Sequence, residues 1–178
     1  MFNTANQYGS VAKFFHWTLF FLVTLMLVGG YFLEDIPKDW QRVAYNTHKL
    51  IGLLILCLML FRLGWALSNM KPTLQDTKPW EKLAERLVHW SLYASLIAMP
   101  LLGWIGATAS GRPPKLGTWI IALPIVENKA LKEWAFNGHI FVSYLIIGLL
   151  CIHISAALLH HFVRKDNVLQ RMMPEGWV

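Results

Sequence analysis

Four apolar runs, each long enough to cross a bilayer, leave this chain few folds to adopt. They cover about Val11–Leu33, Val43–Leu67, Leu87–Ala107 and Trp134–Val163. Peptide groups in hydrocarbon find no water, so a spanning segment must satisfy its own backbone, and these runs do so as helices. The expectation is an all-α fold, an integral membrane four-helix bundle with residues 1–178 as one unit. Composition agrees: 56% of residues are hydrophobic and only 15% charged, too few charges for a soluble domain of this size. The first run carries one charge, Lys13, at its start, and it is longer than a signal-peptide core, so it is expected to span and stay.

Three connections join the runs. Glu34–Arg42 is short, Ser68–Arg86 is polar, and Thr108–Glu133 is the longest. Within the last, Leu116–Val126 is apolar but broken by Gly117 and Pro124, too short to span and suited to lying at the interface. Pro100 is expected to kink the third helix. With both termini inside, nine Lys and Arg fall on the inner side and seven on the outer side, a weak positive-inside bias that favours this orientation. The net charge of +6 reads as loops facing lipid headgroups, not as a nucleic-acid surface. Cys57 and Cys151 sit in apolar runs and read as small packing residues. No Cys-x-x-Cys-His occurs, so covalent haem attachment is not expected.

The chemistry lies in the histidines. Five of the seven, His16, His48, His89, His139 and His153, lie inside the apolar runs, and His160 and His161 stand at the inner end of the fourth. His139 and His153 are fourteen residues apart, nearly four helical turns, so both leave one helix on almost the same face, separated by roughly 21 Å. Taken by depth, His48 and His139 share an outer level, while His16, His89 and His153 share an inner one. Neutral imidazoles fill both axial positions of a haem iron, which favours electron transfer over oxygen binding. The economical pairs are His48 with His139 and His16 with His153, two haems stacked between the helices. His89 stands as the alternative to His16. A structural zinc site fits poorly, because the two levels are too far apart to share an ion and lack thiolate or carboxylate partners.

The same spacing marks other positions. Fourteen residues after His16 and His89 stand Gly30 and Gly103; their missing side chains leave room for a macrocycle, or they are simply the glycines common in membrane helices. Fourteen after His48 stands Arg62, a partner for a haem propionate or a side chain snorkelling to headgroups. His160 lies seven beyond His153, near the inner surface. His160 and His89 together suit a quinone site, since a quinone takes up protons with electrons and imidazole supplies them. The competing reading of His160 is an interfacial histidine.

These residues resemble those of the bacterial cytochrome b561 family. The matching stretches are Phe15-His16-Trp17, Asn46-Thr47-His48, the His139/His153 pair, His160-His161-Phe162-Val163-Arg164-Lys165-Asp166-Asn167 and Arg171-Met172-Met173-Pro174. The resemblance covers nearly the whole chain. It implies four transmembrane helices in the bacterial inner membrane and two non-covalent b haems on the axial pairs His16–His153 and His48–His139. The branch this chain resembles most in length and ending oxidises superoxide on the periplasmic side and reduces ubiquinone, with His89 and His160 implied near the quinone. Arg42, Lys49, Arg112, Lys115, Lys129 and Lys132 would steer an anionic donor to the outer surface, or are solvated loop charges. The alternative to an oxidase is an electron-transfer subunit fed by a periplasmic dehydrogenase or soluble cytochrome, and a haem-free transporter or structural protein is the third class.

Overall fold

The computed structural model describes residues 2–4, 7–72 and 78–173. Four helices dominate it: α1 Ser10–Tyr31, α2 Lys38–Ser68, α3 Pro79–Ala109 and α4 Lys129–Leu159. A π-helical turn, His160–Arg164, extends α4, and a short 3-10 turn, Gln170–Met172, follows. All four helices are long and apolar enough to cross a membrane.

The helices are longer at their starts than the apolar runs. α2 begins at Lys38, α3 at Pro79 and α4 at Lys129, each several residues before the expected boundary. Hydropathy marks only the stretch in hydrocarbon, whereas the helix continues through the headgroup zone. At 31 residues each of these helices rises roughly 46 Å, well beyond a hydrocarbon core of about 30 Å. Local signals set the starts. Pro79 opens α3, where its missing N–H costs nothing, and Glu81 Oε2 accepts from the Lys78 N–H at 3.1 Å. Asn128 caps α4, its Oδ1 accepting from Leu131 N–H at 2.9 Å. α3 continues through Pro100.

The long connection holds a feature not foreseen in the sequence, a two-stranded antiparallel hairpin, β1 Lys115–Leu116 and β2 Trp119–Ile120. Gly117, at φ +61°, supplies the left-handed residue of its two-residue turn. Leu116, Trp119 and Ile120 are exposed on it.

α4 packs closely along α3, α3 on α2 and α2 on α1, while α1 and α4 have few close backbone approaches. The core is one apolar layer, Leu19 and Val23 of α1, Ile55 and Met59 of α2 and Ile146 of α4. Ile146 is fully buried and stands seven residues from both His139 and His153. The layer therefore lies midway between the two histidine levels. Phe21, Leu25, Phe61 and Phe141 are exposed on the outside of the bundle, as expected where lipid takes the place of a core. Cys57 and Cys151 are also exposed, which corrects their reading as packing residues: in a bilayer an apolar position has no need to face inward.

Candidate functional site

The helices bring the histidines together in two pairs. The rings of His48 and His139 lie 6.3 Å apart between centroids, and those of His16 and His153 lie 6.2 Å apart. Two imidazoles flanking one metal, with metal–nitrogen bonds of about 2.0 Å, place their ring centres roughly 6.3 Å apart. Both pairs therefore fit a bis-imidazole metal group. His89 lies closer to His153, at 5.2 Å, about 1 Å short of that separation. Among the described residues no three of His, Cys, Asp or Glu converge to hold a bare ion.

At the outer level His139 Nδ1 lies 2.8 Å from the Met99 carbonyl oxygen. The carbonyl can only accept, so Nδ1 carries the proton and Nε2 keeps its lone pair, the arrangement a metal-ligating histidine needs. Glycine makes this approach possible. A Cβ at Gly103 would meet His139 Nδ1 at 3.1 Å, and one at Gly30 would meet His48 Cε1 at 3.1 Å. The two glycines lie where the fourteen-residue arithmetic puts them, at the outer level, and the neighbours they accommodate are the imidazoles themselves.

A cavity of about 1640 Å³ opens at this level. His48, His139, Arg42, Lys49, Arg112 and Lys115 are among its lining residues. The loop that bears two of those cations is held by α2. Asn46 Nδ2 donates to the Lys115 carbonyl at 2.8 Å, and Lys115 N–H donates to Asn46 Oδ1 at 2.9 Å. One turn on, Lys49 Nζ donates to the Arg112 carbonyl at 2.8 Å. Trp104 Nε1 bonds the Ile121 carbonyl at 2.8 Å behind the hairpin. Lys129 and Lys132 lie in the first turn of α4 and are exposed.

The inner level is more polar. Arg62 turns inward: Nη2 lies 3.2 Å from His16 Nδ1, Nε donates to the Tyr93 hydroxyl at 3.3 Å, and the guanidinium stands 5.7 Å from the Tyr93 ring centre. A guanidinium only donates, so in this contact His16 Nδ1 holds the lone pair. Ligation of a metal through Nε2 would need the opposite tautomer, in which Nδ1 could no longer accept from Arg62. His89 Nδ1 is buried and lies 3.1 Å from Glu85 Oε1, out of line for a hydrogen bond. Glu85 Oε1 also accepts from Lys71 Nζ at 2.6 Å. Tyr8 faces the same cluster from the N-terminal segment; burial, with the Glu85 charge next in size, pushes its phenol up to about 12.

His160 turns to a partner of its own, Asp166, with Nδ1 to Oδ2 at 2.5 Å. The π-helical turn and the left-handed Lys165, at φ +54°, fold the chain back to make this contact. Burial pushes the Asp166 carboxyl up, but the bonds from His160 and from the Val168 N–H outweigh it and hold it below the usual value. Arg164 ties this end to the start of α3 through Glu81, at 2.6 Å, and Trp17 Nε1 donates to the Met172 carbonyl at 2.9 Å. Pro174, the last residue of the C-terminal motif, lies outside the described residues.

Met99, Tyr93 and Glu85 have no place among the residues the sequence marks, and Asn46 and Asp166 enter there only as members of the matching stretches. Glu85 stands one turn before His89, a visible i,i+4 pair, whereas a backbone acceptor such as Met99 has no sequence signal.

Four spanning helices with paired imidazoles at two depths define a membrane cytochrome b. The chain belongs to the prokaryotic cytochrome b561 family, whose sequence pattern matches residues 7–175. It is 29% identical over 175 residues to cytochrome b561 homolog 2 of Escherichia coli (strain K12), covering 96% of this chain and 93% of that one. It is 30% identical over 180 residues to the probable superoxide oxidase CybB of Yersinia pestis, covering 96% and 97%. Cytochrome b562 of Cereibacter sphaeroides matches at 27% over 170 residues, 89% of each chain. The protein is thus a multi-pass bacterial membrane protein of a haem b electron-transfer family.

Proposed function

We propose that this protein is a di-haem oxidoreductase that takes electrons from superoxide at the periplasmic surface and delivers them to ubiquinone in the membrane. His48 with His139 hold the outer haem, and His16 with His153 the inner one. The observation that carries the reading is the matched separation of the two imidazole pairs, 6.3 and 6.2 Å, at two depths of one bundle. The superoxide oxidase name of the Yersinia pestis relative supports the donor.

A haem held by each imidazole pair would supply reversible one-electron transfer. The chain's residues do the rest. Met99 fixes the His139 tautomer, and the Leu19, Val23, Ile55, Met59 and Ile146 layer keeps water out between the levels. Arg42, Lys49, Arg112 and Lys115 concentrate an anion at the outer cavity. Each superoxide gives up one electron and leaves as dioxygen; two electrons and two protons make ubiquinol from ubiquinone. His89 stands beside the inner pair and His160 two turns further along the chain to hold those protons, with Asp166 orienting His160. Both termini lie on the cytoplasmic side in this reading.

Stopped-flow mixing of purified protein with superoxide tests the proposal. Haem reduction is expected, followed by reoxidation when ubiquinone is present, at a rate that falls steeply with ionic strength. No superoxide-dependent reduction of the isolated protein, with copurification of a periplasmic dehydrogenase or soluble cytochrome, would replace the oxidase with an electron-transfer subunit.

A further inference from the structure

Arg62 is a charge in a place that disfavours charge. It lies within the spanning part of α2, part-buried, with its guanidinium turned toward the inner histidines and not toward the surface. A cation held there is costly unless its position serves a purpose. Among the described residues no carboxylate comes within ion-pair distance of it. Glu85, the acid of this cluster, is already paired with Lys71 at 2.6 Å. Tyr93 tethers Arg62 by its hydroxyl and its ring face. The outer level has the reverse arrangement: His139 donates to the Met99 carbonyl, which makes the imidazole a stronger electron donor to a metal. The cations there are mostly exposed, as Arg42, Arg112 and Lys115 are, and salt screens them. Arg62 is screened much less.

We infer that Arg62, tethered by Tyr93, is a positioning residue that raises the reduction potential of the inner His16–His153 site. A fixed positive charge beside the site favours the form with one more electron, and no proton need move with it. The Met99 bond at the outer level acts in the opposite sense, so the two contacts together make electron transfer inward downhill. The inference rests on reading these four histidines as axial ligands.

A spectroelectrochemical titration of the haem-loaded protein tests it. Arg62→Gln is expected to make reduction of the inner haem at least about tenfold less favourable, a fall of 59 mV for a one-electron couple. The outer haem is expected to keep its potential, and the inner shift to persist at high salt. Arg62→Lys keeps the charge and is expected to keep the inner potential. Unchanged potentials in an Arg62→Gln protein with both haems bound would overturn the inference while leaving the ligand assignment intact. Should Arg62→Gln fail to load the inner haem, Arg62→Lys decides: a tenfold fall despite the retained charge overturns it. Failure of the ligand assignment has its own signature, both haems surviving His153→Ala.

Discussion

His139 Nδ1 lies 2.8 Å from the Met99 backbone oxygen, and that bond decides which ring nitrogen is left for a metal. Met99 and Gly103 stand one turn apart on the same face of α3. The carbonyl of Met99 is open to an outside ring because the residue above it has no side chain.

Gly103→Ala should therefore disturb the outer site. Its Cβ would meet the His139 ring at 3.1 and 3.2 Å, and the ring must give way by a few tenths of an ångström or leave Met99. The expected result is weaker retention of the outer haem, read as a lower haem-to-protein ratio. Gly29→Ala, where nothing lies within 4 Å, is the control and should stabilise α1 by about 0.5–1 kcal/mol. Equal haem retention in both variants would remove the role given to Gly103.

The two axial pairs should fail separately. His139→Ala is expected to abolish one haem spectrum and His153→Ala the other, each halving the haem content of the purified protein. Loss of both haems in both variants would mean that the pairs fold as one unit.

Asn46→Ala should release the hairpin from α2. Two hydrogen bonds to the Lys115 backbone vanish, at roughly 1 kcal/mol each. Hydrogen exchange at the Lys115 amide should quicken, while the helix α2 amides around Ile55 stay protected. If Arg112 and Lys115 guide the donor, the same variant should lower the superoxide-driven rate and flatten its salt dependence.

The Asp166 carboxyl is held below its ordinary value of 3.8 by the His160 bond. A depressed folded value means that its contribution is present above about 3.8 and lost as pH falls through the lower folded value. Protection of the Val168 amide, which donates to Asp166 Oδ1 at 3.0 Å, should follow that window. In Asp166→Asn the acid dependence should disappear.

The helices and the two histidine levels were legible because both follow from periodicity. A spanning run shows in composition, and the fourteen-residue steps His139–His153, His16–Gly30 and His89–Gly103 are properties of one helix at a time. What escaped was set by partners far along the chain or by the backbone. Helix starts at Lys38, Pro79 and Lys129 lie in polar sequence, where hydropathy has no contrast. The hairpin at Lys115–Ile120 has only Gly117-Thr118 to announce it. Tyr93 meets Arg62 only when α3 lies against α2, and Asp166 reaches His160 only because Lys165 turns the chain.

The long-range contacts close in the order of their later partners. His48 meets His139, His16 meets His153 fourteen residues further on, and Trp17 meets Met172 last of the three. On a ribosome the chain emerges in order, so the outer histidine pair can form before the inner one, and the Trp17 contact last of all. The inner end stays open until Met172 has emerged, and the order in which the molecule closes is written in the order of its residues.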